Sequence, residues 1–139
     1  MKDQKCAYCV EGEFLAPFGI KICEMDNALL YLFKEQSHKG RCICATKSHV
    51  SDITKLSDEE RNGYFADMAK AVAAITKAFQ PDKVNIGAYG DTAGHTHFHL
   101  VPKYKDEFEW TQVFAMNPDK VYLSEAEYAE VIEAIKSNL

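Results

Sequence analysis

The stretch His95-Thr96-His97-Phe98-His99-Leu100-Val101-Pro102 decides how this chain is read. Successive side chains of an extended strand alternate between faces, so His95, His97 and His99 share one face while Thr96, Phe98 and Leu100 share the other. Three of the five histidines fall in this window. A strand buried only for packing carries apolar or β-branched residues at such positions. The histidine face therefore carries chemistry, and the opposite face carries core.

The flanking segments extend this strand into a sheet. Lys83 to Tyr89 reads as a neighbouring strand, joined to it by the loop Gly90-Asp91-Thr92-Ala93-Gly94. Upstream, Ile20 to Glu24 and Ala28 to Phe33 form a hairpin about Asp26-Asn27, and Arg41 to Thr46 adds a third strand after Lys39-Gly40. Ser57 and Glu60 make a capping box. Phe65, Met68, Val72, Ile75 and Phe79 then recur at spacings of three or four, predicting an amphipathic helix that Pro81 ends. Ser124 with Glu127 opens a closing helix through Tyr128, Val131, Ile132 and Ile135. An antiparallel sheet of about five strands with one long and one C-terminal helix is an α+β fold.

The 139 residues suffice for one domain, spanning 1–139. A net charge of −5 argues against binding nucleic-acid backbones, which needs clustered Lys and Arg. No apolar run reaches the roughly 20 residues of a membrane span, and Met1-Lys2-Asp3-Gln4-Lys5 is not a signal peptide, so a cytoplasmic protein is expected. Of the five cysteines, Cys23, Cys42 and Cys44 lie in strands and read as small buried hydrophobes. Cys6-Ala7-Tyr8-Cys9 is either a redox pair or half of a zinc site. No βαβ junction of the kind that carries such a redox pair is visible, which favours zinc if nitrogen ligands are at hand. His38, in a polar loop, reads as a surface loop residue.

The triple-histidine strand followed by Leu100-Val101-Pro102-Lys103-Tyr104, with Thr46-Lys47-Ser48-His49 before the long helix and Cys6-x-x-Cys9 at the start, resembles the histidine triad (HIT) family of nucleotide hydrolases and transferases. The resemblance covers about residues 5 to 105 and implies a HIT-like fold. Residues Phe108 to Pro118 and the last helix carry no motif of their own. The resemblance implies that His97 attacks the α-phosphorus of a purine nucleotide or nucleoside-phosphate substrate, forming a nucleotidyl-histidine that water hydrolyses. The His95 carbonyl would hold the Nδ1 proton and leave Nε2 to attack. His99, about 7 Å along the strand, would meet the non-bridging oxygens. Thr92 matches a hydroxyl residue near the leaving group, or else is a turn residue bonding its own backbone. Asn85 is the expected nucleotide contact. Third-position His99, in place of a glutamine, points to hydrolysis rather than nucleotidyl transfer, of a phosphoramidate or a dinucleoside polyphosphate. A homodimer is implied as well.

Two metal readings compete. The three histidines could hold a catalytic zinc, but alternate strand positions spread them over roughly 13 Å. The resemblance instead implies a structural Zn2+ on Cys6, Cys9, His49 and His95, closed to water. The chain also departs from the family pattern. Phe33 stands where many members carry the acid that holds ribose, Asp91 replaces a glutamine, and the 85–95 loop is about one residue short. These departures sustain an alternative class, a non-catalytic nucleotide-binding or scaffold protein with a structural zinc.

Overall fold

The computed structural model describes residues 2–139. Two short helices, α1 (Ala7–Val10) and α2 (Gly12–Leu15), lead into strand β1 (Gly19–Glu24), which turns back into β2 (Ala28–Phe33). Strand β3 (Cys42–Thr46), the long helix α3 (Asp58–Phe79), β4 (Lys83–Gly87), β5 (His97–Lys103) and α4 (Glu125–Lys136) follow. The strands form one antiparallel sheet in the order β1-β2-β3-β5-β4. The architecture is the expected α+β one.

Every residue of β2 is buried, because both sheet faces are covered. This is why Ala28 to Phe33 reads as a continuous apolar run rather than an alternating one. On one face Leu30, Leu32, Cys42, Cys44 and Leu100 meet Met68, Ala71, Ala74 and Ile75 of α3 and Val131 and Ile135 of α4. On the other, Leu29, Tyr31, Phe33, Ile43 and Ala45 meet Tyr8 and Leu15. Cys42 and Cys44 are buried small side chains whose thiols burial pushes up, Cys44 to about 12, and Cys23 is half-buried.

Both long-helix signals hold, with one shift of face. Ser57 and Ser124 each complete a capping box, and Gln80 adopts a left-handed conformation just before Pro81. Along α3, however, Phe65 is 39% exposed, and Tyr64, Ala71 and Ala74 are turned to the sheet. Alanines let the helix approach closely, and the Tyr64 hydroxyl fixes its rotation by donating to the Cys44 carbonyl at 2.7 Å. A Cβ on Gly63 would collide with the Asn27 side chain, where the β1–β2 turn docks on α3 and the Asn27 amide donates to buried Asp67 at 2.6 Å.

The histidine strand is shorter than its sequence suggests. β5 begins at His97 rather than His95, and β4 ends at Gly87 rather than Tyr89. Residues 95 and 96 leave the ladder because their partner is the loop before α3. The Thr96 amide donates to the Val50 carbonyl at 2.7 Å, and the Thr46 amide donates to the Thr96 carbonyl at 3.1 Å.

Candidate active site and metal cluster

Those two staples bring His49 to His95. The His95 ring is buried, and its Nε2 lies 2.7 Å from the Thr46 carbonyl, an acceptor only, so Nε2 carries the proton and Nδ1 offers a lone pair. That Nδ1 lies 3.3 Å from Cys6 Sγ, 3.6 Å from Cys9 Sγ and 3.2 Å from His49 Nδ1, and Cys9 Sγ is 3.3 Å from His49 Nδ1. The four ligand atoms all lie within 4.8 Å of one another. Zinc bonds to nitrogen and sulfur imply tetrahedron edges of about 3.3–3.8 Å, so Cys6, Cys9, His49 and His95 lie close enough to bind one such ion.

Two residues beyond His95, His97 is held by the same residue's backbone. Its Nδ1 lies 2.8 Å from the His95 carbonyl, which fixes the proton on Nδ1 and leaves Nε2 unprotonated. Burial lowers its pKa, although the bond to His95 opposes this, so the neutral form is favoured. Tyr8, carried between the two cysteines on α1, packs against the His97 ring with centroids 4.8 Å apart. His97 opens onto a cavity of about 480 Å³, together with Thr92 and Asp91 of the glycine loop, Phe18, Met116 and Asn117.

His99 continues the row, its ring centroid 5.5 Å from that of His97, but it is 3% exposed. The Phe33 ring, T-shaped to it, and the Phe114 ring cover it, and Arg41 Nη2 approaches its Nδ1 at 3.1 Å. Burial first, then the Arg41 charge and then His97, push the His99 pKa down to about 3. Phe33, which stands where the family resemblance implies an acid, has its ring centroid 4.2 Å from the guanidinium carbon of Arg41. Phe114 belongs to the segment without a motif and rests on Gly87, where a Cβ would lie 2.8 Å from its ring.

The structure therefore sorts the candidate residues. It brings His97 and Thr92 to one cavity and gathers Cys6, Cys9, His49 and His95 beside it. His99 lies behind Phe114. Asn85, paired with Val101 on the same sheet face, opens onto a separate depression with Lys83, Lys103 and Trp110. His38 is not at the surface as expected: it lies in its loop but is 2% exposed, because its Nε2 meets the Glu109 carboxylate at 2.8 Å. The other Glu109 oxygen accepts from the Ala115 amide at 2.7 Å, so this pair anchors the segment that covers His99. Arg41 signalled nothing in the sequence beyond opening a strand. Its role appears only once the register sets Ile43 opposite His99.

Residues 19–106 match the family described as HIT domain. The chain belongs to the HIT family. Among relatives, an adenosine 5'-monophosphoramidase of Schizosaccharomyces pombe is 28% identical over 110 residues, covering 74% of this chain and 77% of that protein. A histidine triad protein of Sinorhizobium meliloti superposes with a TM-score of 0.84 at 19% identity, covering 92% of this chain and 95% of that one. A Zn-bound histidine triad family protein of Mycobacterium smegmatis gives a TM-score of 0.61 at 23% identity, covering 86% and 85%. The sheet and helices of this chain are thus the HIT fold. No helix among the described residues is long and apolar enough to cross a membrane.

Proposed function

We propose that this HIT protein is a hydrolase that cleaves at the α-phosphate of a nucleoside phosphoramidate or dinucleoside polyphosphate, with His97 as nucleophile. The observation that carries the reading is the 2.8 Å bond from His97 Nδ1–H to the His95 carbonyl, which leaves an unprotonated Nε2 beside a 480 Å³ cavity. In the first step Nε2 bonds to the α-phosphorus and the leaving group departs. In the second, water displaces His97 and releases the mononucleotide. His99 supplies a donor for the phosphate oxygens, Thr92 lies near the leaving group, and a purine nucleotide reaches His99 and Asn85 by displacing Phe114. The name of the yeast relative supports a phosphoramidate as one candidate substrate.

Zn2+ on Cys6, Cys9, His49 and His95 fits as a structural ion: two thiolates and two imidazoles complete a tetrahedron and leave no position for water. The Zn-bound relative supports that identity. We further assign a single domain over residues 1–139, acting in the cytoplasm as a homodimer. The open edge of β4, with Ile86 51% exposed, supports a second copy there.

Incubation of the pure protein with adenosine phosphoramidate and, in parallel, with diadenosine polyphosphates tests the activity. Release of AMP from either, through an acid-labile adenylyl-protein adduct, is the expected result. The burial of His99 behind Phe114 and the loss of the ribose acid at Phe33 favour a second reading, a nucleotide-binding protein without turnover. Binding with no mononucleotide released from any of these substrates would select it.

A further inference from the structure

Arg41 is the bulkiest of the fully buried side chains, at 0% exposure, and no carboxylate among the described residues forms an ion pair with it. Its guanidinium is held in other ways. Nη1 donates to the Ala115 carbonyl at 3.0 Å, Nη2 donates to the Met116 carbonyl at 3.1 Å, and the Phe33 and Phe114 rings lie 4.2 and 5.1 Å from its carbon. Nε has no partner. Burial pulls its pKa to about 10, so it stays charged at neutral pH. An isolated buried cation is costly, and this one is aimed at a histidine of the site.

The contact of Arg41 Nη2 with His99 Nδ1, 3.1 Å, has one chemical sense. A guanidinium has donors only, so Nδ1 must accept, and the single proton of neutral His99 must sit on Nε2. We propose that Arg41 is a positioning residue of this site, fixing His99 as an Nε2–H donor of constant polarity and tying the cavity wall at Met116 to the same ring. The proposal rests on the reading of His97 as nucleophile for its catalytic meaning, though not for its geometry. Its consequence is that His99 offers the phosphate a hydrogen bond and no exchangeable charge. A second proton would have to enter the lone pair already facing a cation.

The groups around His99 agree with this. Arg41 comes from the position just before β3, His97 from its own strand, Phe33 from β2 and Phe114 from the C-terminal segment, and Gly87 of β4 pairs with it. The carboxylates of Glu35 and Glu109 act on Arg41 and not on His99. Lysine would be a poor replacement for Arg41, because a compact, strongly hydrated ammonium lacks the planar fork that reaches two carbonyls and a ring nitrogen from one buried position beside two aromatic rings.

Nitrogen-15 NMR of the imidazoles in the metal-loaded wild-type protein, with His99 assigned by loss of its signals in His99→Asn, reads the tautomer directly. The expected spectrum shows Nε2–H for His99 and no titration between about pH 5 and pH 8. In Arg41→Met, which replaces a buried charge with an apolar side chain and so should fold, the His99 tautomers should mix and kcat should fall roughly 10–100-fold with little change in KM, as for outer partners of ligating histidines. A wild-type His99 that is protonated on Nδ1, or that titrates in this window, overturns the proposal without any variant. An Arg41→Met protein that keeps both the His99 spectrum and kcat overturns it too. A wild-type protein that turns over no substrate defeats the nucleophile reading and leaves the tautomer result to stand or fall alone.

Discussion

At one end of the histidine row His95 meets two thiols and a second imidazole, and at the other His99 meets a guanidinium, two aromatic rings and a covering segment. The first end gathers lone pairs that repel one another unless an ion lies among them. The second gathers a cation with carbonyl oxygens and π faces, and is held by contacts within the chain. The two ends should therefore respond to different insults. His97 sits between them, bonded to one through the His95 carbonyl and packed against the other through the His99 ring.

The largest effect is expected between the ends. His97→Asn should lower turnover at least about a thousandfold while nucleotide binding persists, because Cys6, Cys9, His49 and His95 are engaged in the metal cluster and His99 is covered by Phe114. Single-turnover release of mononucleotide measures it, and activity above a tenth of wild type would remove His97 from its role. Next comes the metal end. Chelation, or Cys9→Ser, should cost more than about 4 kcal/mol of stability, the linkage value for an ion present at about a thousand times its Kd. Hydrogen exchange should localise the loss to residues 5–15 and 46–50 and spare 109–118. Equal loosening of both segments would show that the two ends are one cooperative unit.

Phe114→Ala strikes the other end. Truncating this buried ring should cost about 3–4 kcal/mol by chemical denaturation and should leave metal content unchanged. A smaller effect is expected from acid. The His99 pKa, about 3 folded and near 6.5 unfolded, means that the unfolded chain binds the proton first as pH falls. Stability should be fully present above about pH 6.5 and decline by about 2 kcal/mol between pH 7 and pH 5 from this group alone. His99→Asn should flatten that slope. An unchanged slope would assign acid sensitivity to the metal end instead.

The two ends also differ in how far they could be read from residue types. Cys6-x-x-Cys9, His49 and His95 are chemically distinctive, and their grouping as one site followed from the resemblance to the HIT family, because strand and helix patterns alone do not say which histidines meet the two thiols. The Arg41 end is made of backbone carbonyls at Ala115 and Met116, which have no residue signature, and of Phe114 in a stretch without periodicity. His38 misled for a different reason, since its partner is a side-chain carboxylate, Glu109, 71 positions away. In α3 the apolar stripe located the helix, but the alanines, invisible to a count of large residues, decided which face met the sheet.

His95 divides its labour between two parts of one residue: its ring belongs to the metal cluster and its carbonyl to His97. A carbonyl is present whatever the side chain, so mutation at position 95 cannot delete the bond that orients the nucleophile. Only a shift of the chain can, and the Thr96–Val50 and Thr46–Thr96 backbone bonds oppose that shift. The orientation of His97 is thus written in peptide units, and descendants of this chain could shed the thiols and the ion while inheriting it intact.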